Sequence, residues 1–176
     1  MGFYGSIGFV GGVSLINCTV TNSHFTHGLA YMDEGTSAAI LTLENSTFVN
    51  NTSEYGTIMN VKHMDINTAC RMRSTNSTFI GNRASKYGGI IYSMGLYNHL
   101  YFNFTNNTYI DNHAKLGDIM YSYSKATTPQ IDNLEELETI ENAIVTNPTK
   151  LILSENSIKN FSIYSGDTIP NNITSK

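Results

Sequence analysis

An aromatic residue followed three places later by asparagine recurs three times, as Phe48-Val49-Asn50-Asn51, Phe79-Ile80-Gly81-Asn82 and Tyr109-Ile110-Asp111-Asn112. The aromatics are 31 and 30 residues apart, and a glycine follows each unit, at Gly56, Gly88 and Gly117, ahead of another apolar run. A period near thirty is the signature of a solenoid, in which each repeat buries its apolar side only against its neighbours.

Four segments come into register on Asn17, Asn45, Asn76 and Asn106. Upstream of these lie Val13 and Leu15, Leu41 and Leu43, Met72 and Ser74, and Phe102 and Phe104, alternating with polar residues at the period of two that marks a half-buried strand. One step earlier the inward column reads Gly11, Ala39, Cys70 and Leu100. Downstream runs the column Val20, Phe48, Phe79, Tyr109. Past the glycines, Ala30, Ile58, Ile90 and Ile119 align, followed two places later by Met32, Asn60, Tyr92 and Tyr121. Each unit thus carries three short strand-like runs and nothing with helical spacing, which predicts three parallel strands per coil. We expect an all-β fold: a right-handed parallel β-helix of the pectin-lyase-like kind with about four coils and a less regular C-terminal extension.

Within that frame the repeated residues are structural. Phe48, Phe79 and Tyr109 stack in the core. Asn51, Asn82 and Asn112 are expected at a corner that needs a left-handed backbone, which asparagine tolerates, with their amides linked in a ladder. Gly28, Gly56, Gly88 and Gly117 answer the same demand at another corner.

Charged residues make up only 14% of the 176, against 40% hydrophobic, and the net charge is −4. The polar deficit is filled by Asn, Ser and Thr, which stack without like-charge repulsion. An acidic chain with few arginines argues against a nucleic-acid partner, and no apolar run is long enough for a transmembrane span.

The pairing of Phe-x-x-Asn with Gly-Gly-x-Ile resembles the repeat of chlamydial polymorphic outer-membrane proteins and related right-handed β-helix repeats of large surface proteins. The best copy is Phe79 to Asn82 with Ala84, then Gly88-Gly89-Ile90-Ile91-Tyr92; Phe48 to Asn51 with Gly56-Thr57-Ile58 and Tyr109 to Asn112 with Gly117-Asp118-Ile119 depart more, and Val20 to Ser23 with Gly28-Leu29-Ala30 most. The resemblance covers about residues 11 to 124. It implies an extracellular or surface-displayed module, adhesive or structural, although no run of barrel strands accompanies it here. The opening residues read as the middle of a repeat, so we expect a piece of a longer chain with further modules beside it.

The chemistry of β-helix lyases and glycosidases is the competing expectation, as a fragment or remnant of such an enzyme. It needs paired carboxylates, or clustered acids beside a base. Asp111 aligns with Asn22, Asn50 and Gly81, and Asp118 with Leu29, Thr57 and Gly89, so neither column holds a second acid. His27-Gly28 resembles part of a polygalacturonase pattern, but His27 falls in the corner column of Tyr55, Tyr87 and Leu116. The remaining histidines, at 24, 63, 99 and 113, are scattered and no His/Cys spacing suggests a metal. We therefore assign no catalytic residue, metal or cofactor.

Cys18 and Cys70 fall two coils apart in different columns, about 10 Å, beyond disulfide reach. Cys70 reads as a small buried hydrophobe; Cys18 aligns with Ser46 and Ser77 on the polar side and is open to a partner elsewhere. Asn-x-Ser/Thr sequons begin at Asn17, Asn45, Asn50, Asn51, Asn76, Asn103, Asn106, Asn160 and Asn172, where a eukaryotic secretory pathway would place glycans, only partly occupied where they stack in one column.

The pattern divides the chain into repeats over 1–124, a linker or short helix or loop over 125–148, and terminal strands leading into a linker over 149–176. In the middle part, Asn133 to Ala143 carries Glu135, Glu136, Glu138 and Glu141 with Leu134, Leu137 and Ile140, a short capped helix or an acidic loop. The function this predicts is a non-catalytic structural or adhesive module, binding glycans or proteins through flat polar faces, with Tyr97, Tyr101 and Tyr123 as candidate sugar-stacking rings.

Overall fold

The computed structural model describes residues 11–33, 39–64, 66–67 and 70–148. The first coil contributes β1 (Gly11–Ile16), β2 (Thr19–Thr21) and β3 (Ala30–Met32). The second has β4 (Ala39–Glu44), β5 (Thr47–Val49), β6 (Thr52–Tyr55) and β7 (Met59–Val61). The third has β8 (Arg71–Thr75), β9 (Thr78–Ile80), β10 (Arg83–Tyr87) and β11 (Ile91–Ser93). In the fourth, a single helical turn, α1 (Asn98–Tyr101), precedes β12 (Phe102–Thr105), β13 (Thr108–Ile110) and β14 (Met120–Ser122). The tail then adds β15 (Gln130–Ile131), α2 (Leu134–Leu137) and β16 (Ile144–Thr146).

Each strand pairs in parallel with its counterpart one coil on, giving sheets ordered β1-β4-β8-β12-β15, β2-β5-β9-β13, β6-β10 and β3-β7-β11-β14-β16. This is a right-handed parallel β-helix of about four turns. The alternating burial of β4 shows why the sequence folds this way: Ala39, Leu41 and Leu43 point inward and are at most 2% exposed, while the residues between them face out. Stacking repeats the choice in every coil, so that Val13, Leu41, Met72 and Phe102 form one inward column and Leu15, Leu43, Ser74, Phe104 and Ile131 another.

Several expectations need correction. The two middle coils hold four strands each, because the chain stays extended past the asparagine corner and pairs again as β6 and β10. Leu100 does not extend the column of Ala39 and Cys70; it lies in α1, 52% exposed, because that turn of helix delays the strand until Phe102. Ala30 pairs with Met59 rather than Ile58, and Tyr31 with Asn60. The first coil is one residue shorter across that corner, so Leu29, not Ala30, takes the place beside Ile58, and Tyr31, not Met32, heads the outward column. The left-handed corner residues are Asn22, Asn50, Gly81 and Asp111, with φ of 51°, 52°, 62° and 49°, each one place ahead of the residue in the ladder. Finally, residues 125–148 carry the short helix and also β15 and β16, which extend two of the sheets. Residues 1–10 and 149–176, including Asn160, Asn172 and the terminal strands expected there, lie outside the described residues.

Candidate functional site

Two corners of the coil are stitched by side chains. A residue in the left-handed region turns the next backbone N–H off the sheet ladder, and a buried N–H must find another acceptor. At the first corner, after Asn17, Asn45 and Asn76, the N–H of Cys18 donates to Ser46 Oγ (3.1 Å), that of Ser46 to Ser77 Oγ (3.2 Å) and that of Ser77 to Asn107 Oδ1 (2.9 Å). At the second, Ser23 donates to Asn51 Oδ1, Asn51 to Asn82 Oδ1 and Asn82 to Asn112 Oδ1, each at 3.0 Å. The amides also link to one another, Asn51 Nδ2 to Asn82 Oδ1 at 2.9 Å and Asn82 Nδ2 to Asn112 Oδ1 at 3.0 Å. Each remaining amide hydrogen reaches a carbonyl of the coil before: Val20, Phe48 and Phe79 accept from Asn51, Asn82 and Asn112. Ser46 and Ser77 are therefore inside the corner, 1% exposed, not on a polar face.

The aromatic repeat lies beside this ladder. Phe48 and Phe79 stack with centroids 5.2 Å apart, and Phe79 and Tyr109 at 5.5 Å. Gly28, Gly56, Gly88 and Gly117 all have positive φ at the other corner; a Cβ on Gly88 would run into the Ile91 carbonyl. The repeated residues hold the coil closed.

The outward columns are where chemistry is available. On the sheet of β3, β7, β11, β14 and β16, the outward column reads Tyr31, Asn60, Tyr92, Tyr121, Val145. Tyr55 and Tyr87 stand at the adjoining corner. Tyr55 packs on Tyr92 (4.8 Å between centroids) and Tyr87 on Tyr121 (4.9 Å), while Tyr92 and Tyr121 stack at 6.0 Å with planes 13° apart. His27 packs on Tyr31 at 4.8 Å. The result is one half-exposed aromatic strip across the coils. Lys62 lies 5.5 Å over the Tyr31 ring and Lys86 5.1 Å over Tyr55, with Lys86 also paired to Glu54. Burial raises the phenol pKa of Tyr92 and of Tyr121 above the ordinary value, and does the same for Tyr31, whose hydroxyl donates to Asp33 Oδ2 at 2.5 Å. Tyr31, Tyr92 and Tyr121 thus hold their phenol protons and present apolar faces edged by hydroxyls.

One member of the strip breaks the pattern. Asn60 is 1% exposed, and neither its amide oxygen nor its nitrogen has a hydrogen-bond partner. An unmet buried polar group costs about 1–3 kcal/mol.

The other candidates are distributed around the coil. Tyr101 is half-buried under the Arg71 guanidinium, 5.5 Å away, and Tyr97 is half-buried beside α1; Tyr123 is exposed, two places beyond Tyr121 and just past the end of β14. A hollow of about 670 Å³ is lined by His24, Thr52, Glu54, Arg83, His113 and Lys115 among others, and mixes charges of both signs. Asp111 and Asp118, from different columns, line a common hollow of about 140 Å³. Asp118 Oδ1 accepts from the Ala114 N–H at 2.9 Å and lies 3.2 Å from His113 Nδ1, which fixes it as a corner cap. Among the described residues no three His, Cys, Asp or Glu side chains gather as metal ligands, and no helix is long and apolar enough to cross a membrane, which says nothing of a β-barrel. Cys18 and Cys70 are in no disulfide.

Of the sequons, Asn17, Asn45, Asn50, Asn76 and Asn106 are exposed and Asn103 is half-exposed. Asn51 is fully buried in the ladder, so the folded chain offers no glycan acceptor there. The strip itself was missed from sequence, although Tyr92 and Tyr121 were already in one column; Tyr55 and Tyr87 read as corner packing, and the one-residue slip hid Tyr31. The chain matches no family model, no curated protein and no solved structure.

Proposed function

We propose that this chain is a non-catalytic binding module of a secreted or cell-surface protein, and that it holds glycan chains against the tyrosine strip. The observation that carries the reading is the continuous contact of Tyr55, Tyr87, Tyr92 and Tyr121 on an outward face. Pyranose rings present a C–H face that packs on an aromatic face, and hydroxyl edges that bond to phenols; tyrosine supplies both at low entropic cost. From Tyr31 to Tyr121 the strip spans three coil steps, about 14 Å, which suits an oligosaccharide better than a single sugar. Stacking on bases is the other use of such rings, but it goes with a basic groove along the phosphates, and the chain carries −4 overall.

The test is binding of the whole chain to immobilised neutral and acidic polysaccharides, followed by calorimetry with the best oligomer. Tyr92→Ala and Tyr121→Ala should each weaken binding about tenfold, since one ring contact of ~1.4 kcal/mol corresponds to that factor. Absence of binding to every glycan sinks the reading. Release of new reducing ends from a bound polysaccharide would favour the enzyme instead.

A further inference from the structure

We propose that Asn60 is the polar recognition group of a sugar subsite in the tyrosine strip, one that selects a pyranose with two adjacent hydroxyls; this rests on the strip being a glycan surface. The column places Tyr31 on one neighbouring strand of Asn60 and Tyr92 on the other. In the upper coils each corner ring packs on the column ring of the next coil, Tyr55 on Tyr92 and Tyr87 on Tyr121. The same arrangement would pack His27 over position 60. With asparagine there, His27 packs instead on Tyr31 of its own coil. Asn60 therefore sits between two aromatic pairs, His27 with Tyr31 and Tyr55 with Tyr92.

Tyr31 and Tyr92 are two coil spacings apart, about 10 Å. A ring held at van der Waals contact of about 3.5–4 Å on both faces needs less than that. The Tyr55 ring, 4.8 Å from Tyr92, fills that interval over Asn60, and a rotamer change of Tyr55, half-exposed at the rim, would clear room there for one sugar. A carboxamide offers an acceptor and two donor hydrogens on one plane, which matches a pair of neighbouring hydroxyls. In Asn60 both ends of that plane are unengaged, although the side chain is 99% shielded from solvent. Packing alone gives no reason for it: tyrosine fills this column in three other coils, and a β-branched residue would complete the strand without an unmet amide. A site that hydrogen-bonds sugar hydroxyls discriminates strongly against analogues lacking them.

The experiment uses the whole chain, its Asn60→Val and Tyr92→Ala variants, and hexamers of β-linked glucose, α-linked glucose, xylose and N-acetylglucosamine, in calorimetric titrations and thermal melts. Asn60→Val is expected to melt at or above the parent temperature and to bind the preferred hexamer at least tenfold more weakly. In the parent, the Asn60 side-chain amide resonances should shift as that hexamer is added. If the parent binds, Tyr92→Ala weakens binding, and Asn60→Val binds as the parent does with unmoved Asn60 resonances, the subsite is refuted while the strip stands. If the parent binds none of the four hexamers and no other glycan, both fall together.

Discussion

Replacing Asn82 by alanine tests the ladder where it is deepest. The Asn82 oxygen accepts from the Asn51 N–H (3.0 Å) and the Asn51 amide (2.9 Å), and its nitrogen donates to the Phe48 carbonyl (2.9 Å) and to Asn112 Oδ1 (3.0 Å). After truncation the Asn51 amide keeps Val20 as acceptor and Asn112 keeps the Asn82 N–H. The Asn51 N–H and the Phe48 carbonyl lose these partners in a corner where Asn51 and Asn82 are 0% exposed. At about 1–3 kcal/mol for the N–H left unmet and about 0.5–1.5 kcal/mol for the second hydrogen bond lost at a carbonyl that keeps its strand partner, the cost is about 2–5 kcal/mol, a large part of the 5–15 kcal/mol typical of a whole domain. For a chain of this size that lowers the melting temperature by about 4–20 °C. In urea the midpoint should fall with an unchanged slope, since the surface exposed on unfolding hardly alters. Asn112→Ala makes the internal control. Asn112 is half-exposed, so water can replace part of what is lost, and its cost should be less than half that of Asn82→Ala. An Asn82→Ala melt within about 2 °C of the parent, or a larger loss from Asn112→Ala, would refute the argument that buried corner N–H groups depend on these amides.

Three further outcomes follow from the same geometry. Phe79→Ala removes a ring sandwiched between Phe48 and Tyr109 at 0% exposure and should cost about 3–5 kcal/mol in a denaturant titration, with Phe79→Leu recovering more than half. Burial raises the Tyr109 phenol well above the ordinary value near 10. The folded state then holds its proton longer than the unfolded chain does, so this contribution to stability is complete below pH 10 and is lost as pH rises towards the folded value. Ultraviolet phenolate titration should show one tyrosine ionising after the rest, and Tyr109→Phe should abolish that late step. Burial likewise pushes up the Cys70 thiol, 1% exposed beside Ala39, so a thiol reagent should label only Cys18 in the folded chain and Cys70 on unfolding.

The inward half of the structure was legible because stacking makes each coil a copy of the last. Phe48, Phe79 and Tyr109 identify themselves by chemistry and spacing, and the alternation through Leu41 and Leu43 fixes which face is core. What failed was local and backbone-driven. Leu100 looks like a strand residue in any apolar count, yet the turn Asn98–Tyr101 consumes chain length at 1.5 Å per residue and leaves it outside. The slip at Ala30 comes from a single residue missing in one corner, to which a motif-based alignment is blind. Residues on either side of a corner are equally blurred: Asn50 and Asn51 are both asparagine, and only the backbone shows that the first takes the left-handed turn while the second turns inward. The ladder at the first corner was hidden for a different reason, since serine gives way to asparagine along it: Ser46, Ser77 and Asn107 share only the role of a small polar group reaching the N–H of the coil before.

The outward columns obey a weaker rule, and this gives the tyrosine strip its meaning. An outward column needs side chains that tolerate one another at coil spacing, and polar residues suffice: Thr42, Arg73, Asn103 and Gln130 stack on the first sheet, where Asn103 Nδ2 donates to Gln130 Oε1 at 3.3 Å. The fold therefore does not require aromatic rings on its outer surface. Six of them, His27 included, nevertheless converge on one face, around an amide whose hydrogen bonds the chain leaves unmet. Stability alone would favour valine or isoleucine at position 60, because each would extend the strand without an orphaned polar group. On the reading proposed above, this surface is complementary to a ligand with alternating apolar faces and hydroxyl edges of its own, and the unmet Asn60 amide is the part of it that folding alone does not account for.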